Sequence, residues 1–227
     1  MIKYQLNVVD YKAFPEAGTG SFLEQMPSLL KEGKKPISVV QGMRKRLEVL
    51  NDSEIIRVSW WDYGFWTGDS IAVNSNGEVK FILDSEQLRN VSPSTKLSTN
   101  GCIILEDKLY DHLKGERFSA KKANKYGNEL LTKREAKSNP FWKLLSRNDQ
   151  KTLNDTVDYI FYYFFKDNCA KKTMGVHYNE PEEGVNTLQP FYVCRLCHDI
   201  NYGIEDSGVI GSKVNVKSRI IGISATK

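Results

Sequence analysis

Apolar residues along this chain recur at two periods, and the switches between them set out the expected elements. Val40, Met43, Leu47 and Leu50 return at the three-and-four spacing of one helical face. Pro36 is placed for the first turn of that helix, with Arg44, Lys45 and Arg46 outward or flanking. Leu153, Val157, Ile160, Phe161 and Phe164 repeat the pattern after a capping Asn148 or Asp149, which predicts a longer helix to about Lys166. Asn139-Pro140 opens a short helix over Phe141–Ser146, and Glu106–Lys114 reads as another. Asp84 with Gln87 spells a capping box for a short helix to about Asn90, ended by Ser92-Pro93.

Strands are expected at Lys3–Val9, Glu54–Ser59, Cys102–Leu105, Phe191–Leu196 and Lys213–Ile223, with a glycine-rich loop before the last. The clearest local structure is a β-hairpin over residues 70–83. A three-residue loop of Ser75, Asn76 and Gly77 gives Gly77 the positive φ such loops need. Val73 then faces Val79 and Ile71 faces Phe81, so Ile71, Val73, Val79, Phe81 and Leu83 share one side. Ser70, Ala72, Asn74, Glu78 and Lys80 take the other, with Ile82 the single misfit. A slip of one residue would destroy this separation.

Strands and helices that do not alternate regularly predict an α+β fold, not a doubly wound sheet. Composition shifts towards Lys, Asn and Ala at Gly115. A mixed N-terminal lobe (1–114) carrying the hairpin is therefore expected, followed by a C-terminal lobe (115–227) built on the basic segment, the helix near 148–166 and the late strands. At 227 residues, 40% hydrophobic and 26% charged, the chain buries enough surface to fold without disulfides or metal, which excludes intrinsic disorder. Four cysteines do not make a secreted disulfide framework. The longest apolar run, Tyr159–Phe165, is far short of the roughly 20 residues of a membrane span. The first ten residues lack the order of a signal peptide, so the expected location is cytoplasmic, with no membrane partner.

Two chemical patterns compete with plainer uses of the same residues. Asp69, Glu78 and Lys80 have the acid, acid-x-Lys order of metal-dependent nucleases. The hairpin register sets the two carboxylates about 17 Å apart on opposite faces, too far for one metal. Cys169, His177, Cys194 and Cys197 could supply a three-thiolate, one-imidazole zinc set. Only Cys194 and Cys197 have paired spacing, with His198 next to them, and thiols in an apolar stretch pack as small hydrophobes. Neither a Gly-x-Ser-x-Gly elbow nor a phosphate-binding glycine loop is spelled, the glycines at 203, 208 and 211 leading from no strand into a helix. No catalytic residue, metal ligand or cofactor is assigned.

Charge carries the functional expectation. Between Lys114 and Lys151 stand eleven Lys or Arg and four Asp or Glu, whereas the rest of the chain is net acidic. Lys121, Lys122 and Lys125, and again Lys133, Arg134 and Lys137, can each line one helical face, with Phe118, Tyr126 and Trp142 interleaved to stack bases. Lys213, Lys217 and Arg219 alternate on one side of the last strand, opposite Val214, Val216 and Ile220, at a spacing of about 6.6 Å that suits successive phosphates. The expected function is that of a non-catalytic binding protein engaging nucleic acid, or a nucleic-acid-bound complex, through this basic face. An acidic protein is the other partner such a face fits. Two alternatives are a protein-interaction module anchored by Trp60, Trp61, Tyr63, Phe65 and Trp66, although core packing is the commoner use of such residues, and a metal-dependent nuclease.

Overall fold

A computed structural model describes residues 11–14, 20–165, 172–180, 182–194, 208–215 and 217–224. The first half of the chain forms β1 (Tyr11–Phe14), β2 (Gly20–Ser21), α1 (Phe22–Lys31), β3 (Lys34–Pro36), α2 (Val39–Glu48), α3 (Glu54–Trp61), β4 (Phe65–Val73) and β5 (Val79–Ile82). Then come α4 (Glu86–Arg89), β6 (Ile103–Leu105), α5 (Asp107–His112), β7 (Glu116–Phe118), α6 (Ala120–Tyr126), α7 (Lys133–Ser138), α8 (Pro140–Leu145) and α9 (Gln150–Phe165). The chain continues through β8 (Val176–Tyr178), β9 (Asn186–Val193), β10 (Val209–Gly211), β11 (Lys217–Ser218) and β12 (Ile220–Ser224). The fold is α+β.

Ten strands join in one mixed sheet whose main path runs β1-β12-β4-β9-β10-β8. β3 pairs with β12, β6 with β9, and β5 extends from β4 to β7; β2 and β11 pair separately. The register of β4 and β5 is the expected one, with Val73 against Val79 and Ile71 against Phe81. Gly77 sits at φ +80° in the loop. Both faces of this ribbon are covered. Phe65, Ile71, Val73, Val79, Phe81 and Phe191 enter a core under α2, α8 and α9. Trp66, Ala72, Ile82 and Leu188 enter a second core with residues of α1, α4 and α5. Ile82, the misfit of a one-sided hairpin, is therefore at home in the second core. Lys80 is buried on the same side, its Nζ donating to the carbonyls of Tyr110 (2.7 Å) and Asp111 (3.2 Å) and lying 4.5 Å from the Tyr110 ring.

Several expected elements change. Residues 54–59 belong to helix α3, not a strand: Ile55, Ile56 and Val58 favour strands locally, but the helix drives Trp60 and Trp61 into the core. Pro36 lies in β3, and α2 starts instead at a capping box of Ser38 and Gln41. Lys45 and Arg46 are buried, not outward or flanking. Asp84 is a left-handed residue (φ 57°) ahead of α4, whose N-cap is Ser85. β9 begins at Asn186, five residues before the expected strand, and β10 occupies part of the expected glycine-rich loop. The expected strand at 213–223 is broken by a turn at 214–215, leaving only β11 and β12.

Other expectations hold. Asn139 accepts from Phe141 N–H (2.8 Å) and Trp142 N–H (3.2 Å) at the start of α8. Asp149 accepts from Thr152 N–H (3.0 Å) at the start of α9. Positions on either side of 115 share one sheet, through β5 and β7, and one core. The strand expected at Lys3–Val9 lies outside the described residues. Among the described residues no helix is long and apolar enough to cross a membrane.

Candidate functional site

Within the basic segment the cations of α6 and α7 divide by partner. In α6, Ala123 is the inward residue while Lys121, Lys122 and Lys125 are exposed. α7 is fixed by a Thr132–Glu135 capping box and buries Ala136. Lys133 and Lys137 converge on one carboxylate, each 2.7 Å from Asp158 Oδ1 on α9. These two ammonium groups hold Asp158 below the ordinary carboxylate range. Arg134 is exposed beside them. Lys121, Lys122, Lys125 and Arg134 make no ion pair among the described residues.

The aromatics expected to stack bases pack in or against the core, Trp142 buried and Phe118 and Tyr126 half-buried. Phe118 packs edge-on against Phe81 (5.7 Å) and Phe141 (4.9 Å), and Tyr126 against Phe141 (6.1 Å). Trp142 is buried, and its Nε1 donates to the Met174 carbonyl at 2.8 Å. Trp60, Trp61, Phe65 and Trp66 are buried as well, leaving Tyr63 as the exposed member of that run.

The second basic element does not form as expected. Lys213 is exposed, and Lys217 is placed only by its backbone, paired with Ser21. Arg219 is a correction: it turns inward. Only 7% exposed, it donates to the carbonyls of Gly64 (3.2 Å), Tyr63 (3.1 Å) and Ser59. Its guanidinium lies 5.9 Å from the Phe65 ring, and that of Arg46 lies 5.3 Å from the same ring. Arg46 donates to the Trp60 and Cys194 carbonyls, each at 2.8 Å. Burial, then the neighbouring Arg219 charge, lowers Arg46 to about 10. Two buried guanidiniums thus tie down the turn between α3 and β4 by satisfying its carbonyls, a role that alternation along a strand cannot reveal.

The nuclease and zinc sets do not assemble among the described residues. Glu78 pairs with Arg117 and Asn74 at the hairpin loop, Lys80 is buried on Tyr110, and Asp69 lies elsewhere. Cys194 is buried and His177 half-buried, while Cys169, Cys197 and His198 lie outside the described residues. No group of three or more His, Cys, Asp or Glu among the described residues is placed to hold a metal ion. Cys102 is buried, and burial pushes its thiol up to about 11.

A pocket of about 200 Å³ was not foreseen. It opens where β4 bulges, residues 67–69 lying opposite Phe191 alone, so that Asp69 leaves the ladder. Fully buried, Asp69 accepts from Val39 N–H at the start of α2 (2.7 Å) and from Asp84 N–H (2.8 Å), with Arg147 Nη2 at 3.4 Å. Burial raises its carboxyl above the ordinary range, against the pull of the two backbone donors and Arg147. Lys35, Arg44, Asp84 and Arg147 complete the charged lining. These residues are far apart in sequence. The local signal was a carboxylate inside a strand that is fully buried.

No protein-family model matches the chain, and no curated protein sequence does. Among solved structures it is similar to a chain from work described as "Accommodation of massive sequence variation in Nanoarchaeota by the C-type lectin fold", with a TM-score of 0.65 and 10% sequence identity, covering 96% of this chain and 100% of that one. The likeness is one of fold.

Proposed function

We propose that this chain is a non-catalytic binding protein that engages nucleic acid through the exposed cations of α6 and α7. The observation that carries the reading is the group of Lys121, Lys122, Lys125 and Arg134, exposed and without an ion pair among the described residues, in a segment with eleven basic and four acidic positions. A field left unneutralised by its own protein attracts polyanions and draws its affinity from released counterions. The structural relative, described as accommodating massive sequence variation on the C-type lectin fold, suggests a scaffold that tolerates surface change, which suits binding. With Trp142 in the core and Phe118 and Tyr126 half-buried with their rings packed on Phe141, the contact is to the phosphate backbone and not to stacked bases, so DNA and RNA oligonucleotides of mixed sequence should bind with little sequence preference.

Equilibrium binding to both kinds of oligonucleotide tests this. Neutralising Lys121, Lys122, Lys125 and Arg134 to Gln should weaken binding at least about tenfold near physiological salt. Neutralising Lys31 and Lys96, exposed cations outside the segment, should change it little. Equal losses per charge removed would mean that net charge alone is felt and no site exists. An oligonucleotide that does not bind the parent protein removes the reading.

A further inference from the structure

We propose that the pocket beside the start of α2 binds a small ligand by a phosphate group, at a site separate from the α6–α7 face. Three cations reach its lining from three elements: Lys35 from β3, Arg44 from α2 and Arg147 from the turn between α8 and α9. The lining carboxylates are already engaged. Asp69 accepts from two backbone N–H groups, and Asp84 lies 2.6 Å from Arg89. Arg44 places Nε (3.3 Å) and Nη2 (2.8 Å) on Asp149 Oδ2, which fixes its side chain at the rim. Arg147 reaches Asp69 only at 3.4 Å, a long contact that leaves most of its donors to the pocket. Lys35 makes no ion pair among the described residues.

The backbone is held in an unusual form at the same place. Arg147 and Asn148 are consecutive non-glycine residues with φ of 55° and 59°, and Asp84 across the pocket has φ 57°. Such conformations persist where the surrounding structure fixes them, and they cluster at ligand sites. The turn thus presents the Arg147 side chain from a rigid base.

Size and geometry select the ligand class. Pockets for drug-sized molecules begin near about 300 Å³, so a space of about 200 Å³ suits one head group and not a whole nucleotide. A planar carboxylate is satisfied by a single guanidinium fork, whereas a tetrahedral dianion offers oxygens in several directions. Cations arriving from three elements match the second.

The test uses the full chain, with inorganic phosphate as probe and acetate at matched ionic strength as control, followed by calorimetry and ³¹P line broadening. Glycerol phosphate distinguishes a bound ester from the free ion; binding of either supports the site. Saturable phosphate binding in the millimolar range or tighter is expected, with acetate at least about tenfold weaker. Lys35→Gln should weaken phosphate about tenfold, the worth of one charge-assisted hydrogen bond, and leave folding unchanged because no described partner is orphaned. Arg147→Gln should weaken it as much and also lower stability, since a buried carboxylate is deprived of its cation. Lys31→Gln should bind as the parent does. No saturable binding of either phosphate at tens of millimolar, equal binding of acetate, or unchanged affinity in Lys35→Gln would overturn the proposal. None of these failures bears on the α6–α7 reading, whose cations stay intact.

Discussion

Individual cations in this chain divide by what covers them, and their spacing along the sequence did not say which way they would go. Lys121 and Arg134 are solvated; Lys80, Arg46 and Arg219 lie inside, each satisfying backbone carbonyls. A polar position in an alternating strand is outward only when that face of the sheet is bare, and β4 and β5 here are covered on both sides. Arg46→Met should cost about 2–3 kcal/mol in chemical denaturation, because two charge-assisted hydrogen bonds to the Trp60 and Cys194 carbonyls are lost inside the core. An outward arginine would cost within about 0.5 kcal/mol. Asp149 gives a pH prediction. Thr152 N–H, its hydroxyl and Arg44 hold the Asp149 carboxyl well below the ordinary carboxylate range. A lowered folded-state pKa contributes stability that is present above the unfolded value, near 3.8, and is lost as pH falls below it towards the folded value. Asp149→Asn keeps a capping acceptor but loses the ionised carboxylate and its pairing with Arg44, so stability at neutral pH should fall. The loss of stability below about pH 4 should become shallower in this variant; an unchanged acid limb would contradict the assignment.

At the scale of elements, those that could be read locally were the ones whose turn chemistry and hydrophobic pattern agreed. The 70–83 hairpin had both, in Gly77 and in the separation of Ile71, Val73, Val79 and Phe81, and its register formed as read. α8 and α9 had explicit caps in Asn139 and Asp149. α3 misled because Ile55, Ile56 and Val58 carry strand propensity, and the deciding contacts, such as Trp61 against Tyr159 at 4.6 Å, come from a residue about a hundred positions away. Short β8 and β10 exist only because long β9 pairs with β10, which in turn pairs with β8. The cap at Asn139 does more than start α8. Buried at 4% exposure, it also donates Nδ2 to the Tyr126 carbonyl at 3.0 Å and so joins the end of α6 to the α7–α8 junction. Asn139→Ala should destabilise by about 2 kcal/mol, above the usual value of about 1 for a cap alone. A loss of about half a kcal/mol or less would mean the junction relaxes without it.

At the scale of the molecule the fold is α+β and similar to a solved C-type lectin fold, and its pocket is assembled from distant segments. The pocket joins residues 35, 44, 69 and 147, and no local spacing could have announced it. The basic face was legible as composition, since charge density survives folding even where individual directions do not. Its membership had to be corrected, with Arg219 turned into the core and Lys133 and Lys137 shared on Asp158. The central claim is that α6 and α7 carry a phosphate-binding surface. Its most direct measurement is the salt dependence of oligonucleotide affinity for the parent and for the variant with Gln at 121, 122, 125 and 134. Each phosphate no longer neutralised should reduce the log–log slope by about 0.7–0.9, so removing four cations should flatten it by about 3. Parallel slopes in the two proteins would contradict the claim.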